Sequence, residues 1–236
     1  RKYERWRPGE KGKGRFSQPV GIAFDPVGKR VLVADSVAGL IYAFDAEGKY
    51  LGQFGFGILK RPCGLAVHPA TGRIYVADVE AHQVVVLSSE GQEMSRIGRR
   101  GDELGEFNFP TSVALDSTGR LYVCDALNFR VQQLSADMKT IRAIGKKGDL
   151  PGYFAQPKAV AVDGEDHLYV VDGQFEAVQL FDDQGRLLMD FGHEGRGPGE
   201  FWLPTGIWID GKNRIWVADS YNRRIQVFDY LAKVKP

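Results

Sequence analysis

Residues 160–172 read VAVDGEDHLYVVD, and variants of that string return four more times: IAFDPVGKRVLVAD at 22–35, LAVHPATGRIYVAD at 65–78, VALDSTGRLYVCD at 113–125 and IWIDGKNRIWVAD at 207–219. Each copy closes on an aspartate (Asp35, Asp78, Asp125, Asp172, Asp219), at intervals of 43, 47, 47 and 47 residues. Each is also led in by a proline: Pro19, Pro62, Pro110, Pro157 or Pro204. Such self-similarity marks a repeat architecture. Within the fourth copy there are four apolar runs, Ala159–Asp163, Leu168–Asp172, Val178–Phe181 and Leu187–Phe191, separated by Gly or Asp turns. Short runs of β-branched and aromatic residues between turn signals read as a four-stranded meander. The second run of each copy is apolar at consecutive positions, as in a strand covered on both faces. Only neighbouring copies can supply that cover. The expected fold is therefore all-β: a β-propeller of four-stranded antiparallel blades, five repeats present, forming a single domain over residues 1–236.

The composition agrees. Of 236 residues, 43% are hydrophobic and 26% charged, enough for a core and too apolar for a disordered chain. The 29 glycines and 11 prolines fall between the apolar runs, where turns belong. A net charge of +1 sets up no global field toward nucleic acid or acidic lipid. Cys63 and Cys124 stand inside the repeats where other copies carry Val, Thr, Lys or Ala, and they read as small buried side chains rather than a disulfide or metal pair. No apolar run is long enough to span a bilayer. The start at Arg1, Lys2 and Tyr3 is what a processed or trimmed chain would show.

The chain ends bear on closure. Trp6 precedes Phe16 by ten residues, as Ile97 precedes Phe107, Ile144 precedes Phe154 and Phe191 precedes Phe201. Residues 2–6 thus occupy the place of a blade's fourth strand, and the fifth copy shows no obvious fourth strand after Phe228. An N-terminal strand completing the last blade would close the ring and cover its edges.

The pattern P-x-G-[IV]-A-[VF]-D, then G-R-[IL]-Y-V-A-D, then N-x-R-[IV]-Q-x-[FL], then a strand ending F-G, resembles the NHL repeat over essentially the whole chain. Pro204, Gly206, Asp210, Asp219, Asn222, Arg224, Gln226, Phe228, Phe191 and Gly192 carry it. The resemblance implies six blades where this chain supplies five. The alternatives are a five-bladed ring, or a six-bladed one whose missing strands lie upstream of Arg1. The resemblance further implies a bacterial, extracytoplasmic (periplasmic or secreted) protein, some of whose relatives accompany multihaem cytochromes.

Residues present in every copy serve the architecture, so the tempting motifs dissolve. The five strand-end aspartates are placed to accept backbone N–H groups in Asx-type turns rather than to hold a metal. Asp45–Gly48 and Asp182–Gly185 are fragments of a calcium loop without its full ligand series, and read as hairpin turns. The glycines at 101, 105, 148, 152, 195 and 199 imitate a phosphate loop but precede no helix. The resemblance also extends to propeller enzymes, a zinc-dependent lyase and lactonases. A His-based zinc site needs convergent ligands, whereas His68, His82, His167 and His193 lie in loops of different classes.

Function is sought where the copies differ. The loops between second and third strands, and the crossovers between blades, emerge on one face and carry Phe129, Phe175, Trp202 and Tyr221, with Arg130, Arg223 and Arg224 among them. Basic residues on these loops outnumber acidic ones by only four, which argues against nucleic acid. Aromatics with arginine are the types enriched at binding hot spots. Lys158 is the one charged residue at its strand-one position and is placed near the channel mouth. The expected function is a non-enzymatic protein-interaction or scaffold module, a monomeric ring needing no cofactor, whose partner is a protein such as a multihaem cytochrome or other envelope protein. A propeller enzyme acting at the channel mouth, and RNA binding, are the alternatives. Replacing Gly206, at a position held by small residues in all copies, with Leu is expected to destabilise the ring by overpacking.

Overall fold

The computed structural model describes residues 16–229. Blade one comprises β1 (Pro19–Asp25), β2 (Arg30–Asp35), β3 (Leu40–Phe44) and β4 (Tyr50–Phe54). Blade two comprises β5 (Pro62–Val67), β6 (Ile74–Asp78), β7 (Gln83–Leu87) and β8 (Glu93–Ile97). Blade three comprises β9 (Pro110–Leu115), β10 (Leu121–Asp125), β11 (Arg130–Leu134) and β12 (Thr140–Ile144). Blade four comprises β13 (Pro157–Val162), β14 (Leu168–Asp172), β15 (Ala177–Phe181) and β16 (Leu187–Phe191), and blade five β17 (Pro204–Ile209), β18 (Ile215–Asp219) and β19 (Arg224–Phe228). Every sheet is an antiparallel meander in chain order, four-stranded in the first four blades. The protein is a five-bladed β-propeller. The innermost strands follow one another about the axis, β1 against β5, β5 against β9, β9 against β13 and β13 against β17. The expected strand at residues 2–6 lies outside the described residues.

The consecutive apolar residues of the second strands are explained by what covers each face. In β10, Leu121 and Val123 pack into a cluster with Tyr75, Val84 and Phe107 of the blade-two side. The alternating residues Tyr122 and Cys124 pack with Val160, Leu168 and Val170 of blade four. Strand alternation thus turns one β-strand into two interfaces. The fourth strands form the rim, and β8 is exposed along most of its length. Both cysteines are free, and Cys124 is fully buried, which pushes its thiol up to about 12.

The strand-end aspartates tie the end of each second strand to the segment leading into the first strand of the same blade. Asp35 accepts N–H groups from Ser17 and Gln18, Asp78 from Lys60 and Arg61, and Asp172 from Ala155 and Gln156. All five are fully buried. Burial alone would raise the pKa of Asp35, but N–H donors from Ala38, Gln18 and Ser17 outweigh it and hold the carboxyl below its ordinary value.

Between blades five and one the described residues leave a seam. Nothing equivalent to the other inner-strand contacts joins β17 to β1 among them. Ile22 and Phe24 on β1 are 72% and 54% exposed, and Trp208 on β17 is 57% exposed. Glycines at the shared strand-one position report the same thing. A Cβ on Gly64 would sit 2.6 Å from the backbone of Ser112 in the next blade, while one on Gly206 would meet only Ala218 of its own blade, at 3.4 Å. Among the described residues a Cβ is thus crowded by the next blade at Gly64 and not at Gly206, which faces the seam.

A candidate docking face at the strand two to three loops

Each second strand passes to the third through four residues: Ser36–Gly39, Val79–His82, Ala126–Phe129, Gly173–Glu176 and Ser220–Arg223. The positions differ in where they point, and that sorts the candidates. The second position is the tip, and Val37, Glu80, Leu127, Gln174 and Tyr221 are all exposed there. The third is directed at the crossover. Asn128 and Asn222 fill it in blades three and five, each donating from Nδ2 to a crossover carbonyl, Gly101 and Gly195, at 2.8 Å. Phe175 occupies this third position and is half-buried. The fourth has positive φ in every blade: 64° at Gly39, 55° at His82, 56° at Phe129, 54° at Glu176 and 56° at Arg223.

Phe129, at such a fourth position, is half-buried against the core between blades three and four, with the Lys147 ammonium 5.0 Å from its ring centre. Arg223 is exposed. Arg130 and Arg224 point the other way. Arg224 donates to Asp219 from Nε (2.7 Å) and to the crossover carbonyls of Arg196, Gly197 and Glu200 from its two terminal nitrogens. Arg130 makes the equivalent bonds to Asp125, Glu103 and Glu106, and its side chain is 13% exposed. These two arginines pin crossovers to buried aspartates, which is why the repeat pattern holds an arginine there. Their heads are not on the loop surface. Lys158 is half-buried, its stem lying over Gly173 beside Leu203, and its carbonyl accepts the Thr111 hydroxyl at 2.8 Å.

What the fold does bring together is Trp202 and Tyr221. Their ring centres lie 5.5 Å apart, and the Tyr221 N–H donates to the Trp202 carbonyl at 3.1 Å. The Arg196 guanidinium stands 4.7 Å above the Trp202 ring, a cation–π arrangement. Glu194, Gly195, Arg196 and Trp202 line a shallow pocket of about 110 Å³. Trp202 is 36% and Tyr221 59% exposed. Beneath them Asp219 accepts the Trp202 N–H at 2.8 Å. Burial acts to raise the Asp219 pKa, but that N–H together with Asn222 and Arg224 holds it below the ordinary value.

Sequence reasoning passed over Val37, Leu127 and Phe109, which are exposed on the same face. The signal was available for the first two in the loop column Val37, Glu80, Leu127, Gln174, Tyr221, whose members vary freely because nothing packs on them. Phe109 sits edge-on to His82, ring centres 5.2 Å apart, at the mouth of blade three. Among the described residues no three His, Cys, Asp or Glu side chains gather as a metal-binding group, and no helix is long and apolar enough to cross a membrane.

Known proteins corroborate the repeat. The NHL repeat model matches residues 59–87 and 107–134, and a family model described as a 6-bladed beta-propeller matches 161–233. No curated protein is significantly similar in sequence. Solved structures similar in fold include a streptogramin B lyase (17% identity, TM-score 0.68, covering 92% of this chain and 70% of that one). A putative gluconolactonase (14%, TM-score 0.68, 90% and 77%) and an auxiliary nutrient binding protein from Bacteroides ovatus (16%, TM-score 0.68, 91% and 60%) are also similar. At these identities the likeness is one of fold.

Proposed function

We propose that this chain, which belongs to the NHL-repeat β-propellers, is a protein-docking module whose contact face is the set of strand two to three loops and crossovers around Trp202 and Tyr221. The observation that carries this reading is the solvent-exposed Trp202–Tyr221 pair, in contact at a tilt, with the Arg196 guanidinium over the Trp202 ring. Large aromatics held rigid from below, with arginine beside them, are the residue types on which binding energy concentrates. Val37, Leu127 and Phe109 extend exposed apolar surface to other blades of that face. Phe175 and Phe129 contribute as half-buried supports, Arg223 as an exposed base and Lys158 at the channel mouth, while Arg130 and Arg224 hold the face in shape. The partner is proposed to be an extracytoplasmic protein such as a multihaem cytochrome.

The engagement of Arg130 and Arg224 with carbonyls and aspartates further lowers the free positive charge, which weighs against RNA.

Affinity capture from the native source tests the reading, with intact chain, a Trp202→Ala/Tyr221→Ala variant and a control Leu188→Ala on the exposed rim of blade four. A partner held by the intact chain and the control but lost by the double variant is the expected result. Retention by all three would move the contact face elsewhere.

A further inference from the structure

The four crossovers from blade to blade share one device. Each contains a four-residue turn in which the last N–H donates to the first carbonyl: Ile58 to Gly55, Glu106 to Glu103, Tyr153 to Leu150 and Glu200 to Gly197, at 2.9 to 3.2 Å. The third place is a glycine with positive φ, at Gly57 (75°), Gly105 (84°), Gly152 (82°) and Gly199 (80°), as a type II turn requires. The residue after the turn is buried in the core: Leu59, Phe107, Phe154 or Phe201. Anchored at that residue and bent at the glycine, the crossover holds its second place out as a tip. Phe56, Leu104, Pro151 and Pro198 stand there, all exposed.

Proline at the second place is explained by the turn itself, because its ring presets the φ the turn needs. Phe56 and Leu104 have no such reason, since the turn asks for no apolar side chain there. They are 85% and 59% exposed, and Leu150, beside Pro151, is 58% exposed. The opposite end of the sheets lacks such tips. Among the described residues, the turns joining first to second and third to fourth strands expose one large apolar side chain, Val27.

The crossovers that carry these three tips also carry two adjacent exposed bases each: Lys60 and Arg61, Arg99 and Arg100, Lys146 and Lys147. Against these six stand Asp102, Glu103, Glu106 and Asp149, and Glu106 is already paired with Arg99 at 2.7 Å. The sector is therefore electropositive within a chain whose net charge is only +1.

The residue types decide what such a sector fits. Protein hot spots favour Trp, Tyr and Arg and are poor in Leu, while Lys is depleted at protein interfaces. Trp202, Tyr221 and Arg196 match that description; Leu104, Leu150, Lys146 and Lys147 do not. Single-stranded nucleic acid takes ring faces on which bases can stack, and leucine has none. Separate apolar tips flanked by bases suit an anionic lipid surface, where the tips enter the boundary between headgroups and acyl chains and the bases stay with the phosphates.

We propose that the crossovers leading into blades two, three and four, through Phe56, Leu104 and Leu150 with their adjacent bases, form a peripheral contact with an anionic lipid bilayer. The contact goes beyond the docking reading and does not depend on it, because the Trp202–Tyr221 pair belongs to the crossover and loop of blade five.

The test sediments the whole chain with vesicles of equal parts phosphatidylglycerol and phosphatidylcholine, and with vesicles of phosphatidylcholine alone. Wild type is expected to bind the anionic vesicles roughly tenfold better. Phe56→Ser/Leu104→Ser, altered only at exposed tips, is expected to keep its melting temperature and to bind the anionic vesicles roughly tenfold more weakly. Trp202→Ala/Tyr221→Ala is expected to bind them as wild type does. A wild type that fails to sediment with anionic vesicles, or a tip variant that binds them unchanged, overturns the proposal, and loss confined to the Trp202→Ala/Tyr221→Ala variant does so as well. Insertion is read separately from charge. In a Cys63→Ser background, a nitrobenzoxadiazole label on Leu104→Cys is expected to shift to the blue on anionic vesicles, and one on Glu165→Cys, in the β13–β14 turn at the opposite end, to stay unchanged. Equal responses at the two positions would overturn the assignment of the face.

Discussion

The carboxylate of Glu176, last residue before the third strand of blade four, accepts the amide N–H of Leu203, which leads into blade five. Blade three has a counterpart, in which His82 Nδ1 lies 3.3 Å from the Phe109 N–H. Leu203 and Phe109 both have positive φ (49° and 58°). In blades one, two and four the residue at this place, Gln18, Arg61 or Gln156, gives its N–H to the strand-end aspartate of its own blade. Where the backbone flips, the preceding blade supplies the acceptor, because a buried N–H left unpaired is costly.

Glu176 is accordingly a pH-dependent clamp. Burial raises its pKa, outweighing the Leu203 N–H, with the charges of Glu194, Asp219 and Asp172 adding to the rise. A folded value above the ordinary 4.5 favours the protonated form. Its stabilising contribution is thus complete below the ordinary value and is lost as pH rises through the folded one. Glu176→Gln keeps an acceptor for Leu203, so its melting temperature relative to wild type is expected to climb between about pH 4 and about pH 7. A difference that stays flat across that range would show that the carboxyl is not perturbed.

Arg224 and Arg223 adjoin in sequence but are expected to separate in effect. Arg224→Ala strips Asp219 of a buried partner and frees three crossover carbonyls, and should cost about 3 kcal/mol in chemical denaturation. Arg223→Ala, at the exposed fourth position of that loop, should change stability by less than about 0.5 kcal/mol. Equal losses would mean that Arg223 too is structural.

Gly64→Ala and Gly206→Ala probe the seam from within. The first drives a Cβ to 2.6 Å from the Ser112 backbone and is expected to cost about 1–3 kcal/mol. The second meets only Ala218 among the described residues, at ordinary contact, and is expected to cost less than about 1 kcal/mol. A large loss at Gly206, seen in the melting temperature, would show the seam closed in solution.

Ile22→Lys and Trp208→Lys test the same seam from outside. Exposed apolar faces favour association, so each variant is expected to reduce concentration-dependent self-association in sedimentation velocity. Neither should lower stability by more than about 1 kcal/mol. Destabilisation comparable to a core substitution would contradict the exposure of these residues.

The repeat, the four-stranded blade and the role of the five aspartates were legible from the chain alone, though the expected run Ala159–Asp163 is strand Pro157–Val162. Period, alternation and turn chemistry are local, and five copies average out accident: the expected run Leu168–Asp172 is β14 to the residue. What the sequence could not express was direction within a loop. Phe175 and Tyr221 are neighbouring columns of one four-residue turn, yet the first turns toward a crossover and the second toward solvent. Arg130 and Arg224 looked like surface charge because the carbonyls they bind lie 24 to 28 residues away along the chain. The openness between blades one and five was hidden for the same reason. Gly206 has the sequence of a crowded position, and only the placement of the next blade decides whether anything is there to crowd it.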